Sequence, residues 1–452
     1  MGSLNAMQVL ESISIPNSDT IRGNITLISH KDGMDISWKS SKPNVISDAP
    51  VGKKAAGVVN RKDIDEKVIL TATIGCGDEA VSKQFEVNVV KAATRISEDD
   101  YVGYLFGHFI GEDTPDGEQI YFALSKDGLN FKDMNDCKPV LRSNIGEKGV
   151  RDPYIFRSPE GDRYFLIATD LSIYSRGGWI TNAQGYFDAS TTGSSNLVLW
   201  ESNDLINWSE PKLLAIAPKN AGMAWAPEMV YCDETGEYII FFASSIMNTE
   251  TKYKAKPNAI YYVTTRDFVI FSDTKIFIDN QADNEPDGRG REIIDTTVLK
   301  IGDTYYSASK DGDNAEVNGG IRIMKTKDIF DPKSWEKVLD LDELGLDMSG
   351  HRINVLDNSM LEGPELFVYN KCDRANPDIP EYGLMTDQYA LGAGYLPIKT
   401  TDIEDRTNEK GSWELLSKDK YSFDKLRKRH GTIFRLTKEE IIRLEGAFGG
   451  EK

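Results

Sequence analysis

One short phrase, written five times, restricts what this chain can fold into. A Ser or Thr, any residue, an Asp and then a Trp or Phe recur as SKDGLNF from Ser125, SNDLINW from Ser202, TRDFVIF from Thr265, TKDIFDPKSW from Thr326 and TTDIEDRTNEKGSW from Thr400. The aspartates are Asp127, Asp204, Asp267, Asp328 and Asp402, spaced 61 to 77 residues apart. Five copies at near-regular spacing mark a repeat architecture. Between copies lie pairs of strand patterns split by tight turns, as in YIFRSPEGDRYFLIATD, MVYCDETGEYIIFFASS and TVLKIGDTYYSASKD. Each unit therefore offers about four strands and little helix. The fold expected is all-β: a five-bladed β-propeller over 93–452 with a short C-terminal helix. Radial closure would hide the sheet edges and leave a central channel. Two stacked sandwiches are the alternative. The segment Tyr101–Asp136 reads as the blade that closes the ring with the C-terminal strands. TKEEIIRLEGAF carries a capping box, Thr437 with Glu440, and reads as the terminal helix, there for packing.

Residues 8–92 read differently. ITLISH, ISWKSS, NVISD, VILTATI and KQFEVNVV are short β-type runs separated by Asn, Gly, Pro and Asp turns. They resemble small bacterial immunoglobulin-like modules, which implies a β-sandwich before the propeller. No catalytic constellation appears there, so the module is expected to pack or space.

Charge and composition remove several function classes. The chain has 452 residues, 40% of them hydrophobic, which is ample for two cores. Its net charge of −19 argues against nucleic acid or an anionic membrane face as a partner. No apolar run approaches the ~20 residues of a membrane span. Cys76, Cys137, Cys232 and Cys372 are far apart and form no CxxC pair, so neither a zinc knot nor a disulfide framework is indicated. MGSLNAM has neither a basic start nor an apolar stretch. A leader already removed would leave the same sequence. A secreted, periplasmic or cell-surface location is expected, with the cytoplasm left open.

Chemistry enters with four carboxylates. RDPYIF, APEMVY, IDTTVL and LEGPEL bring Asp152, Glu228, Asp295 and Glu362, spaced 76, 67 and 67 residues apart. In a propeller each opens an innermost strand, so all four are expected at one mouth of the channel. The long connections 171–195, 246–259, 310–319 and 371–394 are expected to share that face and shape a binding site. Two carboxylates suffice to hydrolyse a glycosidic bond: one protonates the leaving oxygen and the other deprotonates water. A third can raise the first one's pKa by like-charge repulsion. The histidines, His30, His108, His351 and His430, come with no nucleophile-elbow motif.

From about residue 101 to 436 the chain resembles glycoside hydrolase family 43. RDPYIF with YFLIATD, WAPEMVY with GEYIIFFAS, IDTTVLKIGDTYY and LEGPELF carry the likeness, in the family's order. The resemblance implies an inverting glycosidase with Asp152 as general base, Glu362 as general acid and Asp295 tuning and orienting the acid. Base and acid would stand ~6.5–9.5 Å apart. It implies that Glu228, after Trp225-Ala226-Pro227, lines the sugar pocket. The chain departs from the family in the whole strand-rich segment before Asp152 and in Thr296-Thr297 after the third acid. The fructan-cleaving enzymes also carry RDP, but their acid usually precedes Cys, whereas Gly363 follows Glu362.

Further candidates follow. His430, in KRHGTIF, matches the family's Gly-His segment, where an axial His can help hold a structural calcium ion; no cofactor is otherwise required. His108 is expected to line the channel or to be a core histidine. Trp225 and Trp179 could stack on a sugar, Arg151 and Arg352 could bond hydroxyls or carboxylates, and Asp170 could orient a hydroxyl. The expected substrate is an oligosaccharide or polysaccharide of plant type, cleaved by an exo-acting α-L-arabinofuranosidase. A β-xylosidase, exo-galactanase or endo-arabinanase are alternatives within the family, and a non-catalytic carbohydrate-binding propeller is the alternative outside it.

Overall fold

The computed structural model describes residues 5–183, 185–279, 292–311, 320–346, 361–407 and 411–449. Beyond the N-terminal module, the described strands form five four-stranded antiparallel sheets. Four are built from consecutive strands. Their first strands are β1 (Val150–Arg157), β2 (Trp225–Cys232), β3 (Ile293–Ile301) and β4 (Glu362–Val368). In the fifth, β5 (Thr432–Thr437) pairs with Tyr101–His108, and Tyr121–Ser125 and Phe131–Asp133 follow outward. The segment before Asp152 thus joins the end of the chain, as its strand patterns imply. Consecutive first strands pack side by side, β1 on β2, β2 on β3, β3 on β4, β4 on β5 and β5 on β1.

The five recurring aspartates have one local task. Each sits in the turn between a sheet's third and fourth strands and caps it. Asp127 Oδ1 accepts from the N–H groups of Leu129 and Asn130 at 2.9 and 2.7 Å, and Asp204 Oδ1 from Ile206 and Asn207 at 2.8 and 2.7 Å. Asp267, Asp328 and Asp402 cap their turns in the same way. The preceding Ser or Thr hydroxyl accepts from the aspartate's own N–H. This is the side-chain-to-backbone bonding that makes Asp and Ser turn formers. The repeat in sequence is a repeated way of ending a blade-like hairpin.

An apolar layer fills each junction between neighbouring sheets. Phe165, Ile167 and Leu199 of the first sheet meet Met229, Ile240 and Phe242 of the second. Equivalent layers lie between second and third, third and fourth, fourth and fifth, and fifth and first sheets. The terminal helix Lys438–Phe448 starts at the Thr437–Glu440 capping box and packs Leu444 into the last of these layers. Glu440 is buried there, accepting from Tyr164 Oη at 2.5 Å and from Arg157 Nη2 at 2.7 Å.

The N-terminal module is reduced. It contains a short helix, Ala6–Glu11, a small hairpin and one three-stranded sheet, Ser37–Ser40, Glu66–Ile74 and Val81–Val89. ITLISH and NVISD, expected as strands, contribute mainly isolated bridges such as Ile46 with Val59. Their apolar residues still complete the core, with Ile25, Leu27, Val45 and Ile46 packing on Val68, Leu70 and Val87. The module docks on the ends of the first two sheets that lie away from Asp152. Asp162 accepts from both Arg61 nitrogens, Nη1 at 2.9 Å and Nη2 at 2.7 Å, and from Arg22 Nη1 at 2.6 Å. Arg266 donates to the carbonyls of Ala55 and Ala56 at 3.1 and 2.9 Å. A cavity of about 820 Å³ remains at this junction, lined by Arg61 and Arg95 on one side and Tyr154, Glu365 and Phe434 on the other.

Asp162→Ala leaves two guanidinium groups without their shared acceptor. Hydrogen bonds to charged groups contribute about 1.5–3 kcal/mol each, so the variant should lose about 2–3 kcal/mol of unfolding free energy and be cut faster by protease in 90–98. Lys212→Ala, at an exposed pair, should change neither. Melting and limited proteolysis together check this, and a parental Asp162→Ala would show that docking does not depend on the cluster.

Candidate active site

The same irregularity interrupts the first strand of four sheets. Between Arg151 and Tyr154 β1 advances three residues while its partner strand advances two, from Thr169 to Ile167. The same happens from Trp225 to Glu228 in β2, Ile294 to Thr297 in β3 and Glu362 to Glu365 in β4. Each is a β-bulge. The extra residue turns left-handed: φ is 50° at Asp152, 45° at Ala226, 51° at Asp295 and 51° at Gly363. Asp tolerates that region better than most residues. At Gly363 a Cβ would come within 2.6 Å of the His430 ring, so only glycine lets that ring approach.

The bulges align the four segments as Arg-Asp-Pro-Tyr, Trp-Ala-Pro-Glu, Ile-Asp-Thr-Thr and Glu-Gly-Pro-Glu. The four acids therefore do not occupy one repeated position. Asp152 and Asp295 share the bulge site, Glu362 stands one residue before it and Glu228 two residues after it.

His430, two residues before β5, holds the centre. Its Nδ1 lies 3.4 Å from Asp152 Oδ1 and 3.9 Å from Asp295 Oδ1. Burial opposes a charged imidazole, but Asp152, Asp295 and Glu362 outweigh it and raise His430 to about 9, so it is an imidazolium at neutral pH. Burial also pushes Asp152 up, yet His430, Arg151 and Thr169 together hold it below the usual carboxylate range. Thr169 Oγ1 donates to Asp152 at 2.7 Å and accepts from Ala226 N at 2.7 Å, which fixes the base against the next sheet. Burial raises Asp295 to about 6, helped by Glu362 and Asp152 and opposed by His430 and Lys310. It accepts from Gly363 N at 3.1 Å.

Glu362 is gripped by cations. Arg429 Nη2 donates to it at 2.7 Å, and Lys310 Nζ is 3.7 Å away. Arg429 also pairs with buried Asp387, directly opposite Glu362 in the sheet, and reaches Glu112 at 3.5 Å. Burial and Glu362 lift Asp387 to about 6 against Arg429.

A carboxylate kept ionised, another held by two cations and a third with raised proton affinity, all at one end of five sheets, form a site suited to acid–base chemistry. Residues 99–441 match a family model, related to glycoside hydrolase family 43, that is described as a probable glycosyl hydrolase domain. The chain belongs to that glycosyl hydrolase family. Residues 6–92 match the model of an atrophied bacterial Ig domain, in keeping with the single three-stranded sheet. An α-L-arabinofuranosidase of Bifidobacterium longum subsp. longum is 32% identical over 410 residues, covering 83% of this chain and 36% of that relative. The chain thus spans about a third of that relative's length. Among solved structures, an endo-1,4-β-xylanase of Bacteroides thetaiotaomicron is 12% identical, with a TM-score of 0.43 over 70% of this chain and 96% of that one. An exo-β-1,3-galactanase of Clostridium thermocellum is 16% identical, with a TM-score of 0.39 over 61% of this chain and 51% of the other. Both likenesses are remote, and the assignment does not rest on them.

The site departs from several expectations. Glu228, expected to face the sugar, is 4% exposed and turned into the axis below the bulges. It meets Glu365 there, a residue the spacing of acids overlooks. Glu365 Oε1 accepts from Ile433 N at 2.9 Å and Thr432 Oγ1 at 3.0 Å, and Oε2 from Thr297 Oγ1 at 3.5 Å. Burial raises both carboxyls, Glu365 to about 7; Glu365 raises Glu228 further, while the Ile433 and Thr432 donors and Glu228 itself hold Glu365 down. His108 is fully buried, bonded through Nδ1 to the Phe109 carbonyl and stacked on Tyr121, so it is a core residue and not a channel lining. Asp170 accepts from Glu147 N and Ser194 Oγ at 2.8 and 2.6 Å and anchors the connection 171–196. Arg151 is buried between Glu118 at 2.9 Å and Glu112 at 3.3 Å. Trp225 stays half-buried at the site with no partner for Nε1 among the described residues, and Trp179 is exposed, its Nε1 donating to Glu112 at 3.0 Å. Arg352 lies outside the described residues. The stretch 371–394 is two connections: Tyr382–Asp387 is a strand, so 371–381 lies at the end away from Glu362 and only 388–394 reaches the site.

His430, the residue expected beside calcium, sits between Asp152 and Asp295. Among the described residues no group of three or more His, Cys, Asp or Glu is arranged to hold a metal ion.

Signals for the overlooked residues existed. Aligning on the prolines of RDPY, WAPE and EGPE puts Glu365 beside Glu228, and Arg429 immediately precedes His430. Glu112 carried no such signal.

The Glu228–Glu365 pair gives a pH test. Glu365 rises from an ordinary 4.5 to about 7 in the fold. A raised acid contributes stability that is full below 4.5 and lost as pH climbs through 7. Melting temperature should fall over that window, and Glu228→Gln with Glu365→Gln should flatten the fall. Asp295 and Asp387, both raised to about 6, would retain part of it. An unchanged slope in thermal melts across pH would contradict the raised proton affinity of the pair.

Proposed function

We propose that this protein is an inverting glycoside hydrolase that releases terminal α-L-arabinofuranosyl groups from a plant-type oligosaccharide or polysaccharide, through a five-bladed β-propeller over 93–452 with the module 8–92 as a docked spacer. The observation that carries the reading is the unequal charge environment of Asp152 and Glu362 around His430. Asp152, depressed and oriented by Thr169, takes a proton from water. The water oxygen bonds to the anomeric carbon as the glycosidic C–O bond breaks. The leaving oxygen takes its proton from Glu362. Glu362 then gains negative charge beside Arg429 and Lys310, so those cations stabilise the charge that the step creates. Asp295, bonded to Gly363 N next to Glu362, positions the acid. The arabinofuranosidase relative supports the sugar preference, and the five sheets with five apolar junctions support the blade count. A neutral glycan partner fits a chain of net charge −19, and no described helix is long and apolar enough to cross a membrane.

Asp152→Asn and Glu362→Gln should each lower kcat/KM on nitrophenyl α-L-arabinofuranoside by about 10²–10⁴-fold at unchanged melting temperature. NMR of the first product should show the inverted anomer. Retention of configuration would remove the water-activating role of Asp152. A panel of xyloside and galactoside substrates separates the neighbouring activities; parental turnover by Glu362→Gln would remove the acid role of Glu362, and no turnover by the parent chain on any substrate would leave only a carbohydrate-binding role.

A further inference from the structure

Exposed aromatic side chains are distributed unevenly over this molecule. Among the described residues the exposed ones are Tyr174, Trp179, Tyr186, Phe187, Tyr253 and Tyr389. All six stand on connections at the end of the sheets that carries Asp152 and Glu362. The first four belong to the single connection 171–196, between the second and third strands of the first sheet.

Two of them, Trp179 and Phe187, pack together. Trp179 meets half-buried Trp225 edge to face at 6.3 Å, and Trp225 immediately precedes the bulge of β2. Phe187 lies 5.1 Å from Trp179 on its outer side. Tyr186 adjoins Phe187 in the chain, and Lys254 covers one of its faces at 4.9 Å. The segment is held from below: Thr181 bridges Phe187, Arg176 bonds Glu147 through two nitrogens, and Trp179 is tied to Glu112. The rings are braced, yet Trp179 is 38% and Phe187 46% exposed. Braced, exposed aromatic surface beside a polar site marks a place where a ligand's apolar faces are covered.

The chemistry of the surroundings chooses the ligand. A sugar ring presents a C–H face that suits an aromatic ring and hydroxyls that suit the carboxylate and amide groups beside it. An acidic polymer is disfavoured by the net charge of −19; Lys254 is already paired with Glu292 at 2.6 Å, and Arg151, 5.3 Å from the Trp179 ring, is paired with Glu118 and Glu112. The rings step from Trp225, beside the bulge of β2, to Trp179 and on to Phe187 over centroid distances of 6.3 and 5.1 Å, a span longer than one sugar ring.

We propose that Trp179, Phe187 and Tyr186 form a platform for the main chain of an uncharged polysaccharide, which lies along the connection 171–196 while its terminal or side-chain sugar enters between Asp152 and Glu362. The inference rests on the glycosidase reading and adds that the substrate is a polymer recognised several units from the cleaved bond.

Binding without turnover tests it. The Glu362→Gln chain is run through gels containing soluble arabinoxylan, arabinan or polygalacturonate, with Phe187→Ala and Tyr186→Ala added singly and together. Retardation by a neutral polymer, reduced about tenfold or more in the double variant and absent with polygalacturonate, is the expected result. Val269→Ser, exposed at the opposite end of the second sheet, should match the parent, and melting temperatures confirm folding. In the active chain the double substitution should lower kcat/KM on the polymer at least about fivefold more than on a nitrophenyl glycoside. Free migration in every gel, or equal losses on both substrates, would overturn the platform. Retardation combined with no turnover by the chain that keeps Glu362 would keep the platform and overturn the glycosidase reading instead. Retardation by polygalacturonate alone would overturn the choice of an uncharged ligand.

Discussion

A bulge repeated in the first strands of four sheets is the constraint on which the rest of this structure depends. Each inserts one left-handed residue where the strand reaches the carboxylate end. The insertion turns Asp152 and Asp295 inward at equivalent points and advances Glu362 by one position. It also admits His430 over Gly363. Without the bulges the strands would alternate regularly and these side chains could not converge from different sheets.

Convergence of acids is costly unless charge is compensated, and the site is arranged around that fact. Three cations face the carboxylates: His430 between Asp152 and Asp295, Arg429 on Glu362 and Asp387, and Lys310 beside Glu362. Below them, Glu228 and Glu365 face each other, and burial raises the proton affinity of both. The two layers are one residue layer apart and solve the same electrostatic problem in different ways. This is why the upper layer can hold one carboxylate ionised while another has raised proton affinity.

The N-terminal module is held by a compact ionic cluster at Asp162 and by backbone carbonyls that accept from Arg266. It covers the end of the sheets away from the acids and leaves the aromatic connections uncovered. Its own core is small and draws on irregular segments, consistent with a module that keeps its apolar pattern after losing much of its second sheet.

The sequence by itself determined the repeat, the strand-rich units, the pairing of the segment Tyr101–Asp136 with the end of the chain, the terminal capping box and the first strands that begin near Asp152, Asp295 and Glu362. These are local matters of turn chemistry and alternation, and local chemistry is written in consecutive residues. Tertiary structure decided which acids are equivalent, because a bulge shifts register by one residue; the prolines of RDPY, WAPE and EGPE carry that register, but the spacing of charges does not. It alone showed Glu228 turned inward onto Glu365, His108 in the core and Arg151 locked between Glu112 and Glu118. Such roles are set by what stands opposite a side chain, and those neighbours come from sheets tens to hundreds of residues away along the chain.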